Sequence, residues 1–225
     1  MNNSVLVLRH QLLAQATRPF NARGGKLKRC AECLIAEQFC ICQTKQVATD
    51  CQSAVLLLMS HNEPFKPSNT GRLIADIIPE NYAFRWDRTE PEAKLLALLS
   101  DPNYQPILVF PADEADGRQV IERVVHQPKR KPLYVFLDAT WREAKRMFRK
   151  SPYLDSLPVL SITPKALSDY RLRVAPFENQ LGTVEVATIV LAENGEKQAA
   201  ECLQAHFLEF RCAYLKGKNR YTGED

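Results

Sequence analysis

The segment Leu133-Tyr-Val-Phe-Leu-Asp138-Ala139-Thr140-Trp141-Arg142-Glu143 constrains this chain more than any other. Five apolar or aromatic residues run directly into an aspartate, and a helix signal opens two residues later. An unbroken apolar run of this length reads as a buried strand. A buried strand that delivers a carboxylate to its C-terminal end is the usual geometry of an active site on an α/β sheet.

The remaining pattern agrees. Residues 54–59 and 107–110 read as buried strands, 82–86 as a short strand, and 157–162 as another. Helical patterns cover 68–78, with Ser68 or Asn69 as N-cap, and 90–99, 117–126, 141–150, 183–193 and 196–215. Alternation of strands and helices predicts an α/β fold: a mostly parallel sheet with helices on both faces. A length of 225 residues suits one such domain with a small appendage. The division expected is 1–50 as a basic arm with a cysteine segment, and 51–225 as the catalytic domain.

Charge marks out the N-terminal part. Residues 1–50 hold seven Lys/Arg against three acids, whereas basic and acidic residues balance in the rest. A basic arm on a neutral body suits a polyanion, although a solvated arm has the same composition. The early apolar run Val5-Leu6-Val7-Leu8 stops at Arg9 and is too short for a signal-peptide core. No run approaches a membrane span. A cytoplasmic protein without a membrane partner is expected, and no protein partner is implied; the sequence leaves monomer and homodimer open.

Four of the seven cysteines fall together as Cys30-x2-Cys33-x6-Cys40-x-Cys42. In a reducing compartment such clustering points to metal rather than disulfides. Four thiolates suit tetrahedral zinc, with Lys28, Arg29 and Lys45 nearby to offset their charge. An iron–sulfur cluster is the alternative. With all four positions taken, the metal is structural.

In a parallel sheet the ends of three strands place His61, Glu63 and Asp138 along one edge, with Pro111 beside them. Thr140 and Glu143 fit a capping box, so Thr140 reads equally as a cap or a ligand contact. Trp141 packs or stacks. Arg142, Arg146 and Arg149 share one helix face, while Ala144, Met147 and Phe148 lie away from it. Ser68-Asn69-Thr70-Gly71 opens a helix that suits an anion, or is simply capped. Arg171 and Arg173 add cations in a loop, and Glu185 fits dipole compensation in the first turn of a helix. There is no GxGxxG, GxSxG, HExxH or P-loop.

Together these pieces resemble the DTW-domain family of tRNA-uridine aminocarboxypropyltransferases. The resemblance rests on Asp138-Ala139-Thr140-Trp141, His61-Asn62-Glu63-Pro64-x-Lys66-x2-Asn69-Thr70-Gly71, Phe110-Pro111, Tyr170-x-Leu172-Arg173, Leu181-Gly182-Thr183-x-Glu185 and the four cysteines. It implies a SPOUT-like fold with a C-terminal trefoil knot. It implies S-adenosylmethionine as co-substrate, transfer of its 3-amino-3-carboxypropyl group to N3 of a tRNA uridine, and the variable loop as target. The roles implied are Asp138 as base with His61 as runner-up and Thr140 beside them. Asn69, Thr70, Gly71 and Pro111 would hold the donor, and Glu63 or Glu185 would take its ammonium. Trp141 would stack on the base or the adenine. Lys66, Arg142, Arg146, Arg171, Arg173 and the N-terminal arm would meet tRNA phosphates, and zinc would be structural. A methyltransferase with the same donor and a non-catalytic zinc-containing RNA-binding module are the competing readings.

Overall fold

The computed structural model describes residues 2–17, 27–163 and 181–222. Six strands form one sheet: β1 (Ala54–Met59), β2 (Asn81–Arg85), β3 (Tyr104–Val109), β4 (Val120–Ile121), β5 (Lys131–Asp138) and β6 (Val159–Leu160). Their order is β2-β1-β5-β3-β6-β4, and every neighbouring pair is parallel. Helices α1 (Ser4–Gln15), α2 (Gly71–Ile77), α3 (Ala93–Ser100), α4 (Trp141–Arg149), α5 (Thr183–Glu193) and α6 (Lys197–Thr222) surround it.

The central strand β1 is buried at every position, which is why its sequence is a continuous apolar run rather than an alternation. Successive side chains still point to opposite faces. Val55, Leu57, Met59, Tyr134 and Phe136 join α1, α2, α5, α6 and the cysteine segment in one core. Leu56, Leu58, Val135, Leu137 and Phe110 join α3 and α4 in the other. The expectation of helices on both faces is therefore met. Each such Leu, Val or Phe, fully buried, contributes about 1.5–3 kcal/mol.

Register sets the edge that matters. Met59 lies beside Asp138, and Val109 beside Phe136. Ser60 N–H bonds to the Asp138 carbonyl, and Trp86 N–H to that of Met59. The C-terminal ends of β1, β2, β3 and β5 thus form one ledge.

Two sequence expectations need correction. Residues 117–126 do not form a helix. Val120 and Ile121 instead pair with Val159 and Leu160 as an edge strand. β-branched residues favour extended backbone here, and Gly117 adopts φ 81° just before them. Second, the N-terminal residues are more than a charged arm. Ser4–Gln15 is helical, with Val5 and Leu8 buried against the main core. Arg9 donates to the Pro64 carbonyl at 3.2 Å, so this cation is partly structural. Arg18, Arg23 and Lys26 lie outside the described residues, as do Arg171 and Arg173 and the 164–180 stretch that bears on a knot. Among the described residues no helix is long and apolar enough to cross a membrane.

Asn3 ties α1 down. Its Oδ1 accepts from Leu6 N–H at 3.1 Å as an N-cap, and its Nδ2 donates to the Arg72 carbonyl at 3.0 Å and Asp76 Oδ1 at 2.9 Å. Replacing Asn3 with Ala removes the cap and strips two buried acceptors of a donor. A loss of about 1–3 kcal/mol in urea unfolding is expected.

Candidate active site

Asp138 follows Tyr134 and Phe136 by the two-residue period of β5, so its side chain emerges on the α2/α5 face. It is 3% exposed. Asn69 Nδ2 donates to its Oδ2 at 2.7 Å, and Thr183 Oγ1 donates to its Oδ1 at 2.6 Å. Asn69 immediately precedes the first turn of α2, and Thr183 opens α5. The carboxylate therefore sits where two helix N-termini converge, which favours negative charge. The fit is close: a Cβ on Gly71 would lie 2.4 Å from Asp138 Oδ2. Only glycine lets α2 begin there. A Cβ on Gly182 would lie 3.3 Å from Thr70 Oγ1, so the two helix starts also approach each other.

Asn69 organises the rest. Its Oδ1 accepts the Arg72 N–H at 2.8 Å, the bond an N-cap residue makes. That acceptor role fixes the amide orientation, and the NH2 group spans two carboxylates: Asp138, and Glu63 Oε2 at 3.1 Å. Glu63 is itself ion-paired with Lys66. Burial pushes the Asp138 carboxyl up from 3.8 to about 6. The Thr183 and Asn69 hydrogen bonds and the Lys66 charge oppose that rise, and the Glu63 charge adds to it.

The other candidates fall into groups. His61 is exposed on the ledge, and no hydrogen bond to it is seen among the described residues. Thr140 donates its hydroxyl to Glu143 Oε2 at 2.6 Å and its N–H to the same oxygen at 3.2 Å, which is a cap. Glu185 accepts the Gly182 N–H at 2.7 Å at the start of α5. Thr70, half-buried, faces Gly182, and Pro111 is exposed after β3. Trp141 stacks on Phe110, which stacks on Phe148, and the Arg118 guanidinium lies 3.9 Å from the Phe148 ring centre. Trp141 ends this aromatic pile 41% exposed, with the Lys145 ammonium 5.1 Å from its ring centre. Arg142, Arg146 and Arg149 are exposed on α4, and Ala144, Met147 and Phe148 are buried, as their spacing predicts. Arg149 pairs with Glu114 at 3.2 Å, and Arg146 lies over the Trp86 ring.

Two residues acquire roles that sequence reasoning did not assign. Thr183 stood in a quoted motif, but only Glu185 was given work there. Arg72 lies in the first turn of α2, where the sequence reading assigns it no role. Both act across the fold, on partners that spacing along the chain does not bring together.

The four cysteines of the N-terminal segment lie close enough together to hold one metal ion. The Cys30–Cys33 turn closes through Cys30 N–H to the Ile35 carbonyl and Leu34 N–H to the Cys30 carbonyl, with Leu34 at φ 57°. A single turn over Glu37–Phe39 then presents Cys40. All four sulfurs lie within 4.8 Å of one another, with Cys30–Cys42 at 3.6 Å and Cys33–Cys40 at 3.7 Å. Sulfurs about 2.3 Å from a shared zinc stand about 3.8 Å apart, so the set fits tetrahedral coordination. Burial and the neighbouring thiols raise the Cys42 thiol. Burial also opposes ionisation at Cys30, but backbone N–H bonds from Cys33 and Glu32 together with the Cys40 and Cys42 side chains bring that thiol down to about 7.

Two outcomes follow. Cys30→Ser removes one of four ligands, and a purified protein should hold less than one zinc per chain by elemental analysis. Asp138→Asn tests the raised proton affinity. Well below the ordinary value, folded and unfolded carboxyls are both protonated, and the aspartate imposes no penalty. Above about 6 it is ionised in both states, and burial has cost the folded state about 3 kcal/mol for two pKa units. An asparagine can accept from Asn69 and donate to the Thr183 oxygen. Asp138→Asn is therefore expected to be more stable than wild type by up to about 3 kcal/mol near pH 8, a gain that fades toward pH 4, in paired urea melts.

The DTW domain profile matches residues 27–215. A relative from Drosophila melanogaster, "tRNA-uridine aminocarboxypropyltransferase 2", is 26% identical over 174 residues, covering 75% of this chain and 67% of that protein. No solved structure matches. The profile takes in the cysteine segment, the sheet and both helix starts that meet at Asp138, and the chain belongs to the DTW-domain family.

Proposed function

We propose that this protein transfers the 3-amino-3-carboxypropyl group of S-adenosylmethionine to N3 of a uridine in tRNA, in the variable loop as in the bacterial type. The observation that carries the reading is Asp138: a buried carboxylate on the ledge, oriented by two hydrogen bonds, with its proton affinity raised to about 6. Family membership and the named activity of the fly relative support it.

The imide N3 of uridine is a poor nucleophile while it holds its proton. A carboxylate with a raised pKa is still mostly ionised near neutrality, yet binds a proton more readily than an ordinary aspartate. Asp138 accepts the N3 proton as the N3–Cγ bond forms, and the electron pair of the breaking Cγ–S bond stays on sulfur. The co-substrate supplies a γ-carbon activated by its sulfonium. Which of the three carbons on sulfur reacts is a matter of aim. Because Asn69 is committed to Glu63, Asp138 and Arg72, we assign the donor's carboxylate to Thr70 and the N-terminus of α2. Glu63 takes the ammonium, the exposed part of Trp141 meets a base, and Arg142 and Arg146 meet phosphates. The thiolate cluster is structural and suits a reducing cytoplasmic setting. A SPOUT-like, knotted C-terminal part belongs to the same proposal.

The test is transfer from a donor labelled in its carboxyl group to tRNA. Label in the RNA is expected with wild type, and a reduction of at least about 10²-fold with Asp138→Ala. Methyl label in its place would identify a methyltransferase. Failure to bind the donor at all would favour a non-catalytic RNA-binding module.

A further inference from the structure

We infer that Arg72 is a positioning residue that locks the start of α2 onto the cysteine segment and, through Asn69, sets the Asp138 carboxylate.

Arg72 is 1% exposed, and its two ends face different places. Its backbone N–H holds Asn69 Oδ1 at 2.8 Å, the bond that turns the Asn69 NH2 group toward Asp138. Its guanidinium donates to the Cys33 carbonyl at 2.8 Å and meets the Glu32 carbonyl at 3.5 Å, both within the first cysteine turn. One residue therefore touches both the frame of the carboxylate and the turn that carries two of the four sulfurs. A buried guanidinium needs a counter-charge. Asp76, one turn along, provides it at 3.0 Å. Asp76 in turn gathers Asn3, Lys45 at 3.4 Å and His206 at 3.2 Å, so α1, the 40s segment and α6 all bear on the same point. The Arg72 guanidinium also lies over the Phe210 ring. Every element around the cysteines is thereby referenced to α2. The cysteine segment then acts as a strut for the active site as well as a unit of local folding.

The chemistry explains why arginine is needed. A lysine has the charge to satisfy Asp76 but not the planar fork that reaches two backbone carbonyls while paired. Loosening the Cys33 contact lets the first turn of α2 shift, and the Asn69 amide moves with it. Asp138 then loses a donor that favours its charged form, while burial, the Glu63 charge, the Lys66 charge and the Thr183 bond remain. Its pKa rises further.

The inference rests on Asp138 being the working carboxylate of the proposed reaction, so the readout is chosen to be independent of turnover. Carboxyl carbons of the full-length protein are labelled at aspartate, and Asp138 is assigned by its loss in Asp138→Asn. The Asp138 midpoint is then measured by carbon NMR in wild type, Arg72→Lys and Arg72→Gln. A folded Arg72 variant is expected to titrate about one unit above wild type. Asn69→Ala, which removes the donor itself, gives the comparison shift. An unchanged midpoint in a folded Arg72 variant overturns the inference. If neither Arg72 variant folds, Asp76→Asn, which removes the counter-charge that holds the guanidinium in place, is held to the same criterion. The titration reads alike whether or not wild type modifies tRNA, so the two proposals fail separately.

Discussion

Asp138 is buried at the end of a central strand and must still be able to carry charge, and that requirement reaches far into the fold. An isolated ionised carboxylate in an apolar interior is far more costly than any single contact restores, so donors must be brought to it. They come from Asn69 and Thr183, which are 114 positions apart in the chain. The helices they precede or begin must therefore lie side by side on one face of the sheet. Gly71 and Gly182 make that approach sterically feasible. The Asn69 amide is fixed by Arg72, and Arg72 by Asp76 and the cysteine turn. The chain of dependencies runs outward from one carboxylate to Asn3 before α1 and to His206 in α6.

Much of this was legible in the sequence, for identifiable reasons. The run Leu133 to Leu137 is too continuous for a half-exposed strand, and Asp138 could only end it. Thr183 to Glu193 has the same bounds in the sequence pattern and in the structure, because a small N-terminal residue and an acid in the first turn mark its start and Asn194-Gly195 its end. The four cysteines are local, so their spacing alone brought them together. The failures share a cause. Residues 117–126 carry both helical spacing and β-branched side chains, and edge pairing with β6 decided between them. The helix Ser4–Gln15 has no marked amphipathic pattern, and its order comes from Asn3 and from packing on α2 and β2. The roles of Thr183 and Arg72 exist only once distant segments meet.

The buried polar group around Asp76 shows how tolerance for charge is created inside a core. Arg72, Lys45, His206 and Asn3 all address one carboxylate, and His206, Arg72 and Asn3 hold it below the usual range despite its burial. Burial opposes that shift, and the His206 hydrogen bond and the Arg72 charge lead the groups that overcome it. Such a group is unforgiving, because removing one member leaves buried polar or charged atoms without a partner. It contrasts with Asp138, where fewer donors leave the carboxyl raised rather than lowered. Two buried aspartates in one domain are thus tuned in opposite directions by the number and charge of their neighbours.

The sheet also acts as a partition. Asp138, Asn69, Gly71 and Thr183 belong to the face packed by α2 and α5, whereas Trp141, Phe110 and the cations of α4 belong to the opposite face. Only the ledge at the strand ends is common to both. Changes among solvent-facing residues of α4 therefore share few contacts with the framework that holds the carboxylate, and distant sites without shared partners vary nearly independently. In the proposed reaction, the α4 surface is therefore free to drift toward a different nucleic acid while Asp138 and its donors stay fixed, so a change of target requires no rebuilding of the core.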